Sequence, residues 1–330
     1  MDVLKYLTNC NILSTVTQEE DEKEWLANRT KGIGGSDVGA ICGVNKYSSA
    51  RLVYLKKTGQ YQDSEDEPSD AALERMHFGH MLEPIVANEY ARRTGNKVVV
   101  SPATLAHKDY PWAIANVDRL IVDDKGIPYG ILECKTASEY MDDAWSKGDV
   151  PISYLYQLNW YLWVTGLEYG VIACLVGGNK FYHYEVWRND ELLRYNILPK
   201  VDKFWNYHVK NLIEPELSGT DADSECVANE NSEVIKGSEI VLEDETMNEL
   251  AATVKECKAK IKELEATEKE AANRLKDALK NNEIGYTKDY IIKWSPRSQS
   301  RIDTIKLKEK YPEVYADCIK QVNFRVFTVK

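Results

Sequence analysis

Apolar and polar positions along this chain follow two periods, and the changes between them mark out its elements. From residue 112 to 135 (WAIANVDRLIVDDKGIPYGILECK) the pattern is that of two β-runs. They join at Asp123-Asp124-Lys125-Gly126, where Asp and Gly supply the backbone angles of a hairpin turn. With the turn centred between Lys125 and Gly126, antiparallel partners have numbers that sum to 251, which sets Asp118 opposite Glu133. Period-2 alternation puts Lys135 on the face of Glu133 and turns Leu132 and Cys134 the other way. Pro128 and Gly130 predict a bulge in the second run.

Ahead of the hairpin, Thr17-Gln18-Glu19-Glu20 has the form of a capping box and opens a short helix through Trp25, Leu26 and Arg29. The stretch GIGGSDVGAICG follows at 32–43, with Ser36 or Asp37 as the cap of a further helix. Residues 46–60 read as a helix ending at Gly59, and 61–70 as a polar, acidic loop. A long helix over 71–94 stops at Gly95, with Leu73, Met76, Met81, Leu82, Ile85, Val86 and Tyr90 on its expected buried side. Glu83 lies inside that apolar stretch, either buried with a cation or a donor beside it or simply at the edge of the stripe; Pro84 predicts a kink or a helix start. Val98-Val99-Val100 is a short strand.

Beyond the hairpin, 152–165 is an aromatic-rich helix that sets Gln157 and Tyr161 on one face. Two strands, 169–176 and 180–187, meet at Gly177-Gly178-Asn179-Lys180, and 190–213 is an amphipathic helix. From Met247 onward, Leu250, Val254, Cys257, Ile261, Leu264, Ala271, Leu275 and Ala278 keep alternating spacings of three and four, broken at Glu268. That is a coiled-coil or helical-hairpin seam, or one long helix packed on its own domain. Strands at 284–294 and 322–329 flanking a helix near 303–319 would make a small appended α/β unit. The order predicts a mixed α/β (α+β) core, a mixed central sheet flanked by helices, over residues 1–213. An acidic linker over 214–245 and a C-terminal helical extension over 246–330 complete the chain.

Composition and charge refine this outline. A chain of 330 residues with 43% hydrophobic residues, 20 Tyr and 8 Trp has ample means to build a core. No apolar run is long enough to cross a bilayer and no signal peptide is legible, so a membrane role is not expected. The seven cysteines are scattered and never in CxxC spacing, which fits a reducing cytoplasm and argues against a zinc ribbon or an iron–sulfur cluster. Net charge is −11, and residues 214–249 alone hold twelve acids against one base, Lys236. The rest of the chain is formally neutral and free to carry a basic groove, so DNA is not excluded as a partner.

The chemistry gathers on a few side chains. Two facing carboxylates, Asp118 and Glu133, repel unless something positive lies between them, although a surface hairpin with ordinary charges remains the plain alternative. Hard carboxylate oxygens suit Mg²⁺ or Mn²⁺, whose shells substrate phosphate and water complete. Lys135 could then orient or deprotonate a water, and Glu83 could serve a second ion. Upstream, Gly34-Gly35-Ser36-Asp37 is either a common turn and cap or an anion site, where three glycines by position 35 permit close approach of a ligand to the following helix start; Arg29, seven residues before Ser36, favours the anion.

Asp118…Glu133-Cys134-Lys135 resembles the D…E-x-K signature of the PD-(D/E)XK nuclease superfamily, with its restriction-endonuclease-like core. Arg29…Ile33-Gly34-Gly35-Ser36-Asp37, Gly79-His80-Met81-Leu82-Glu83, Asn116-Val117-Asp118, Glu133-Cys134-Lys135 and Gln157…Tyr161 fall in the order of YqaJ-type phage recombination exonucleases, which are lambda exonuclease-like. The resemblance spans about residues 17–190. It implies a two-metal exonuclease that digests linear double-stranded DNA 5′→3′ and leaves 3′ single strands for an annealing recombinase. By position, Asp118, Glu133 and the Cys134 carbonyl would bind metal (Mg²⁺ or Mn²⁺), with Glu83 reaching the second ion. Lys135 would act on the nucleophilic water, held by Gln157 and supported by Tyr161, while Arg29, Ser36 and Gly35 would grip the 5′ phosphate. A homo-oligomer, a ring-shaped trimer, is implied in turn, and the expected place is the cytoplasm of a bacterial host or phage-infected cell. Val117 stands where the signature has Pro, and the chain beyond about residue 216 exceeds the lambda-like core. The rivals are a restriction- or repair-type PD-(D/E)XK endonuclease and a non-catalytic DNA-end-binding module.

Overall fold

The structure, a computed structural model, describes residues 3–16, 20–61, 70–101, 103–319 and 325–329. The chain divides into two units, Met1–Val234 and Ile235–Lys330. The first is built on a five-stranded sheet in the order β2 (Lys97–Val100), β5 (Arg119–Val122), β6 (Pro128–Ala137), β7 (Tyr169–Val176) and β8 (Lys180–Trp187). Neighbours run antiparallel except β6 and β7, which are parallel. A parallel pair needs a crossover, and the segment between them supplies α5 (Asp142–Ser146) and α6 (Ile152–Thr165). A second sheet orders β1 (Cys10–Ser14), β3 (Thr104–His107) and β4 (Ile114–Ala115). The mixed α/β core expected from the element order is therefore present.

The predicted hairpin keeps its register. Arg119 pairs with Leu132, Leu120 with Ile131 and Ile121 with Gly130, all on the expected sum, and the slip comes where Val122 meets Pro128. Proline cannot donate to the ladder, so the bulge falls there. Gly177 and Gly178 close the β7–β8 turn with φ of 59° and 76°, left-handed values that glycine adopts without a Cβ penalty.

Both faces of the sheet are covered. On one, α4 (Asp70–Thr94) lays Val86, Ala87 and Tyr90 on Ile121, Leu132, Val171 and Ala173. On the other, α6 lays Leu158, Tyr161 and Leu162 into the main core with Leu120, Ile131, Ile172 and Cys174. Only the second half of α4 packs as the periodicity predicts. Leu73, Met76, Met81 and Ile85, expected to be buried, are exposed, Met76 at 63% and Met81 at 61%. The helix is longer than the sheet it crosses, so its first turns run past the edge of the core. Pro84 neither starts nor breaks α4, which is continuous through it.

Several boundaries move for local reasons. The capping box at 17–20 lies largely outside the described residues; α1 (Glu22–Thr30) starts on Asp21, whose side chain accepts from the Glu24 N–H. Gly34, not Ser36 or Asp37, is the N-cap of α2 (Gly35–Ile41), and the Asp37 carboxylate accepts the Gly34 N–H at 3.0 Å. α3 (Ala50–Thr58) starts late, on Ser49, and ends as expected at Gly59 with φ 70°. The helix expected at 190–213 is α7 (Asp190–Leu192) and α8 (Leu198–Lys203), joined and followed by π-type turns at Leu193–Ile197 and Phe204–Val209. Pro199, which has no N–H to give, sits just past the first of these turns.

The acidic stretch expected to be a linker from 214 is folded over its first part. Within it, α9 (Asp221–Glu230) buries Asp223, whose carboxylate accepts from the Ser49 hydroxyl and from Ser218. Arg51 pairs with Glu214 and Glu230, both at 2.9 Å. Residues 214–234 belong to the first unit because a buried carboxylate and a cation on α3 hold them there.

The second unit begins with α10 (Glu245–Leu279), the predicted long helix, capped by Asp244. Residues 284–294 form a hairpin of β9 (Ile284–Tyr286) and β10 (Ile291–Lys293) instead of one strand. The helix near 303–319 is split into α11 (Thr304–Lys310) and α12 (Pro312–Asp317), since Pro312 cannot continue its predecessor's bonds. Residues 325–329 are not a strand, and 320–324 lie outside the described residues. The acidic loop at 61–70 is likewise outside them for the most part.

Candidate active site

Strand β6 is buried on both faces and reads as an apolar run interrupted by Glu133, which is 1% exposed. Its side chain turns toward α6, opposite to Leu132, as the period of two requires. There the amide of Gln157 donates to Glu133 Oε1 at 2.7 Å, and Lys135 Nζ lies 2.6 Å from the same oxygen and 3.2 Å from Gln157 Oε1. The Gln157 amide also reaches the Tyr161 hydroxyl at 3.2 Å, one helical turn on. Lys135 Nζ sits 4.8 Å above the ring of Tyr154, a contact the sequence reading missed although Tyr154 precedes Gln157 by three.

Asp118 sits one residue before β5, next to the point where the register brings Arg119 against Leu132. Its Oδ2 accepts the main-chain N–H of Cys134 at 2.8 Å, which pins the carboxylate to the strand carrying Glu133. The Cys134 side chain packs in the opposite cluster, against α4, so only its backbone faces this side. Burial and the charge of Glu133 push the Asp118 carboxyl well above the usual range, and burial raises that of Glu133 as well. Burial opposes the charge on Lys135, but Glu133 and Asp118 outweigh it and the ammonium pKa rises. Lys135 is therefore held as a cation.

Of the two readings of Glu83, the structure has the one with a cation beside it. Arg119 Nη1 lies 2.5 Å from Glu83 Oε1 and 2.6 Å from the Asp118 carbonyl. Arg119 projects toward α4 because it shares the face of Leu132. The sequence carried a signal for it, a basic residue directly after Asp118, that the reading did not use.

Among the described residues, no group of three or more His, Cys, Asp or Glu side chains converges on a ready-made metal cage. One oxygen nevertheless asks for a cation. Glu133 Oε2 is buried with no hydrogen-bond partner among the described residues. An unpaired buried carboxylate oxygen is costly, and Asp118 beside it adds repulsion instead of relief. Asp118 and Glu133 thus fit a divalent cation; Glu83 is engaged by Arg119.

The second constellation is also assembled. Arg29 Nη2 donates to Ser36 Oγ at 2.9 Å, and the guanidinium lies 4.7 Å over the Trp25 ring. Lys57, missed in the sequence, donates to the Arg29 carbonyl at 2.7 Å and pairs with Asp37 at 2.8 Å. No acidic side chain among the described residues pairs with Arg29, so its charge is available to an anion. Gly35 joins the two constellations. A Cβ there would come 2.5 Å from Tyr161 Cε1 and 3.0 Å from Gln157 Cγ, so α2 rests directly on α6.

Comparison with known proteins places all of these residues inside one match. The YqaJ-like viral recombinase domain matches residues 24–168. YqaJ of Bacillus subtilis (strain 168) is 39% identical over 314 residues, 94% of this chain and 95% of that protein. Among solved structures, an alkaline exonuclease from Laribacter hongkongensis aligns over 58% of this chain and 94% of its own, at 20% identity and a TM-score of 0.46. A phage related exonuclease from Haemophilus somnus 129PT aligns over 55% and 95%, at 12% identity and a TM-score of 0.41.

Proposed function

Because the chain belongs to the YqaJ-like viral recombinase family, we propose that it is a metal-dependent nuclease that degrades linear double-stranded DNA from the 5′ end and leaves 3′ single strands for recombination. The observation that carries this reading is Glu133 Oε2, buried and unpartnered beside Asp118 while the other oxygen, Oε1, is held by Lys135. A structural ion pair would satisfy both carboxylate oxygens; this arrangement leaves one free.

Asp118, Glu133 and the Cys134 carbonyl would hold Mg²⁺ or Mn²⁺, which when bound supplies Lewis-acid charge for hydrolysis of a phosphodiester. The protein's own groups do the rest. Lys135 keeps its proton at Nζ, so it donates to the phosphate or to the attacking water and stabilises charge developing on oxygen instead of acting as the base. Gln157 fixes that ammonium from one side and Tyr154 from the other. Tyr161 anchors Gln157 in turn and stays a neutral phenol, since burial pushes its pKa up. Arg29 and Ser36 take the terminal 5′ phosphate, with a guanidinium suited to paired phosphate oxygens, while Gly35 lets their helix approach α6. Glu83 would serve a second ion only after leaving Arg119.

The test is release of mononucleotides from 5′-phosphorylated linear duplex with and without Mg²⁺ or Mn²⁺, beside covalently closed circular DNA. Metal-dependent release from linear DNA alone is expected. Glu133→Ala and Lys135→Ala should each lower the rate at least ~10²-fold while DNA binding persists. Cleavage of closed circles would indicate an endonuclease, and full activity in either variant would remove the assignment.

A further inference from the structure

Beyond the end of α4, the sheet face that this helix covers continues in aromatic rings. Tyr169 shares that face with Val171 and Ala173 by the period of two, and it pairs with Gly130 on β6 and with Trp187 on β8. Gly130 has to be a glycine: a Cβ there would stand 2.6 Å from Tyr169 Cδ1. Ile121 pairs with Gly130 and Val122 with Pro128, so Tyr129 is the extra residue of the bulge, and its ring turns to the same side. The Tyr129 and Tyr169 rings lie 22° from parallel with centroids 6.1 Å apart, and Trp187 stands at 59° to Tyr169, 5.2 Å away. This floor and wall, with Asn96, Glu168 and Glu185, line a cleft of about 550 Å³. The cleft is on the face of the sheet opposite to Glu133, five rungs along β6 from Lys135.

We propose that this cleft binds an arginine side chain of a partner protein. Its charge selects a cation. Glu185 Oε1 accepts from the Tyr169 hydroxyl at 3.2 Å, and among the described residues no basic side chain pairs with Glu185. Burial, with Tyr90 and Glu185 beside it, pushes the Tyr169 phenol up, so it stays a neutral donor to that carboxylate. Arg188 is engaged elsewhere, with Asp190 at 2.8 Å and the Leu167 carbonyl at 3.3 Å, and comes no nearer to Glu168 than 3.8 Å. Aromatic faces attract a cation in their own right. The same two carboxylates repel phosphate, so the rings are not a stacking platform for a nucleic-acid strand. Shape selects arginine: a flat, weakly hydrated guanidinium can lie on the Tyr129–Tyr169 floor while its edge meets Glu185, whereas a compact, strongly hydrated ammonium cannot. Openness selects a protein. A free small molecule binds where most of its surface is enclosed. Here Tyr129 is 41% and Trp187 65% exposed, and β8 is the edge strand of the sheet, so the side chain is carried in from the side by another chain.

The probe is a fluorescein-labelled peptide of four arginines spaced by glycines, titrated with the full chain in ~0.15 M salt and read by anisotropy without DNA or metal. Matched peptides carry lysine or the neutral isostere citrulline. Saturable binding of the arginine peptide is expected, at least ~3-fold weaker binding of the lysine peptide, and none of citrulline. Glu185→Gln should weaken the arginine peptide at least ~10-fold and Trp187→Ala about 5-fold. Both side chains are exposed, so circular dichroism and thermal unfolding should stay as in the unaltered protein. Glu239→Gln with Glu243→Gln, in the exposed acidic stretch, should leave binding unchanged. No binding of the arginine peptide would overturn the proposal. So would binding that survives Glu185→Gln and Trp187→Ala but falls with the Glu239 and Glu243 changes, which would mean plain attraction to the acidic stretch. Competition by an unlabelled single-stranded oligonucleotide would overturn it too, because the rings would then serve bases.

Discussion

Gly35 lies so close to Tyr161 that a single added methyl would stand 2.5 Å from the ring. The helix bearing Ser36 and the helix bearing Gln157 are held in register by that contact. Gly35→Ala must separate them, and overpacking of this kind costs about 1–3 kcal/mol. Thermal unfolding should fall accordingly and the nucleolytic rate should drop at least ~10-fold. Gly79→Ala, where nothing lies within 4 Å, is the control and should be neutral or stabilising by ~0.5–1 kcal/mol.

If Glu83 serves a second ion, its pairing with Arg119 sets how readily that ion binds. With its guanidinium on Glu83, calorimetric titration with Mn²⁺ should resolve one strong site per chain and a much weaker second one. Arg119→Gln frees Glu83 and should tighten the second site by about tenfold, or ~1.4 kcal/mol. Two equal sites that the substitution leaves alone would show that Glu83 is not restrained.

Asp118 is a burden on the metal-free protein. Its pKa is raised by burial and by Glu133, so a proton on it favours folding. That stabilisation is present below the ordinary carboxylate range and is lost as pH rises through the raised folded value. Asp118→Asn is permanently uncharged and keeps an acceptor for Cys134. In EDTA at neutral pH it should raise Tm by roughly 2–4 °C, on the order of 1 kcal/mol, while nuclease activity disappears. A lower Tm would mean that Asp118 stabilises the fold on its own.

Alkaline pH should unfold the first unit through its buried thiols. Burial pushes Cys10 and Cys42 up to about 11 and Cys174 up to about 12, against partial relief from Lys108, Lys200 and Lys135. The stability from keeping them protonated is whole below the ordinary thiol pKa near 9 and is lost as pH rises through about 11. Urea midpoints measured from pH 8 to 11 should decline over that window. A thiol reagent at pH 8 should label Cys257 and Cys318, which are exposed, before the buried Cys10, Cys42, Cys174 and Cys226.

Much of the site was legible because its determinants are local. The turn Asp123–Gly126 and the period of two were enough to bring Asp118 to the strand of Glu133, and the register held from Arg119 to Ile121. Helical spacing put Gln157 and Tyr161 on one face, and their amide–hydroxyl contact follows. What local pattern missed was the origin of each partner. Arg119 directly follows Asp118 and Tyr154 precedes Gln157 by three, but their contacts, like those of Lys57, are to other elements, which no spacing along the chain identifies. The apolar row of α4 was misread for the same reason: periodicity defines a face, but not how far the sheet beneath it extends.

By itself the sequence determined the order of elements, the hairpin that carries the carboxylates, and the seam of α10, because turn chemistry and side-chain period act between near neighbours. The tertiary structure alone decided which oxygen of Glu133 is left without a partner, that Lys135 stays charged, that Arg119 holds Glu83, and that residues 214–234 fold onto α3. Those outcomes depend on burial and on charges brought together from distant parts of the chain, and burial is a property of the packed molecule.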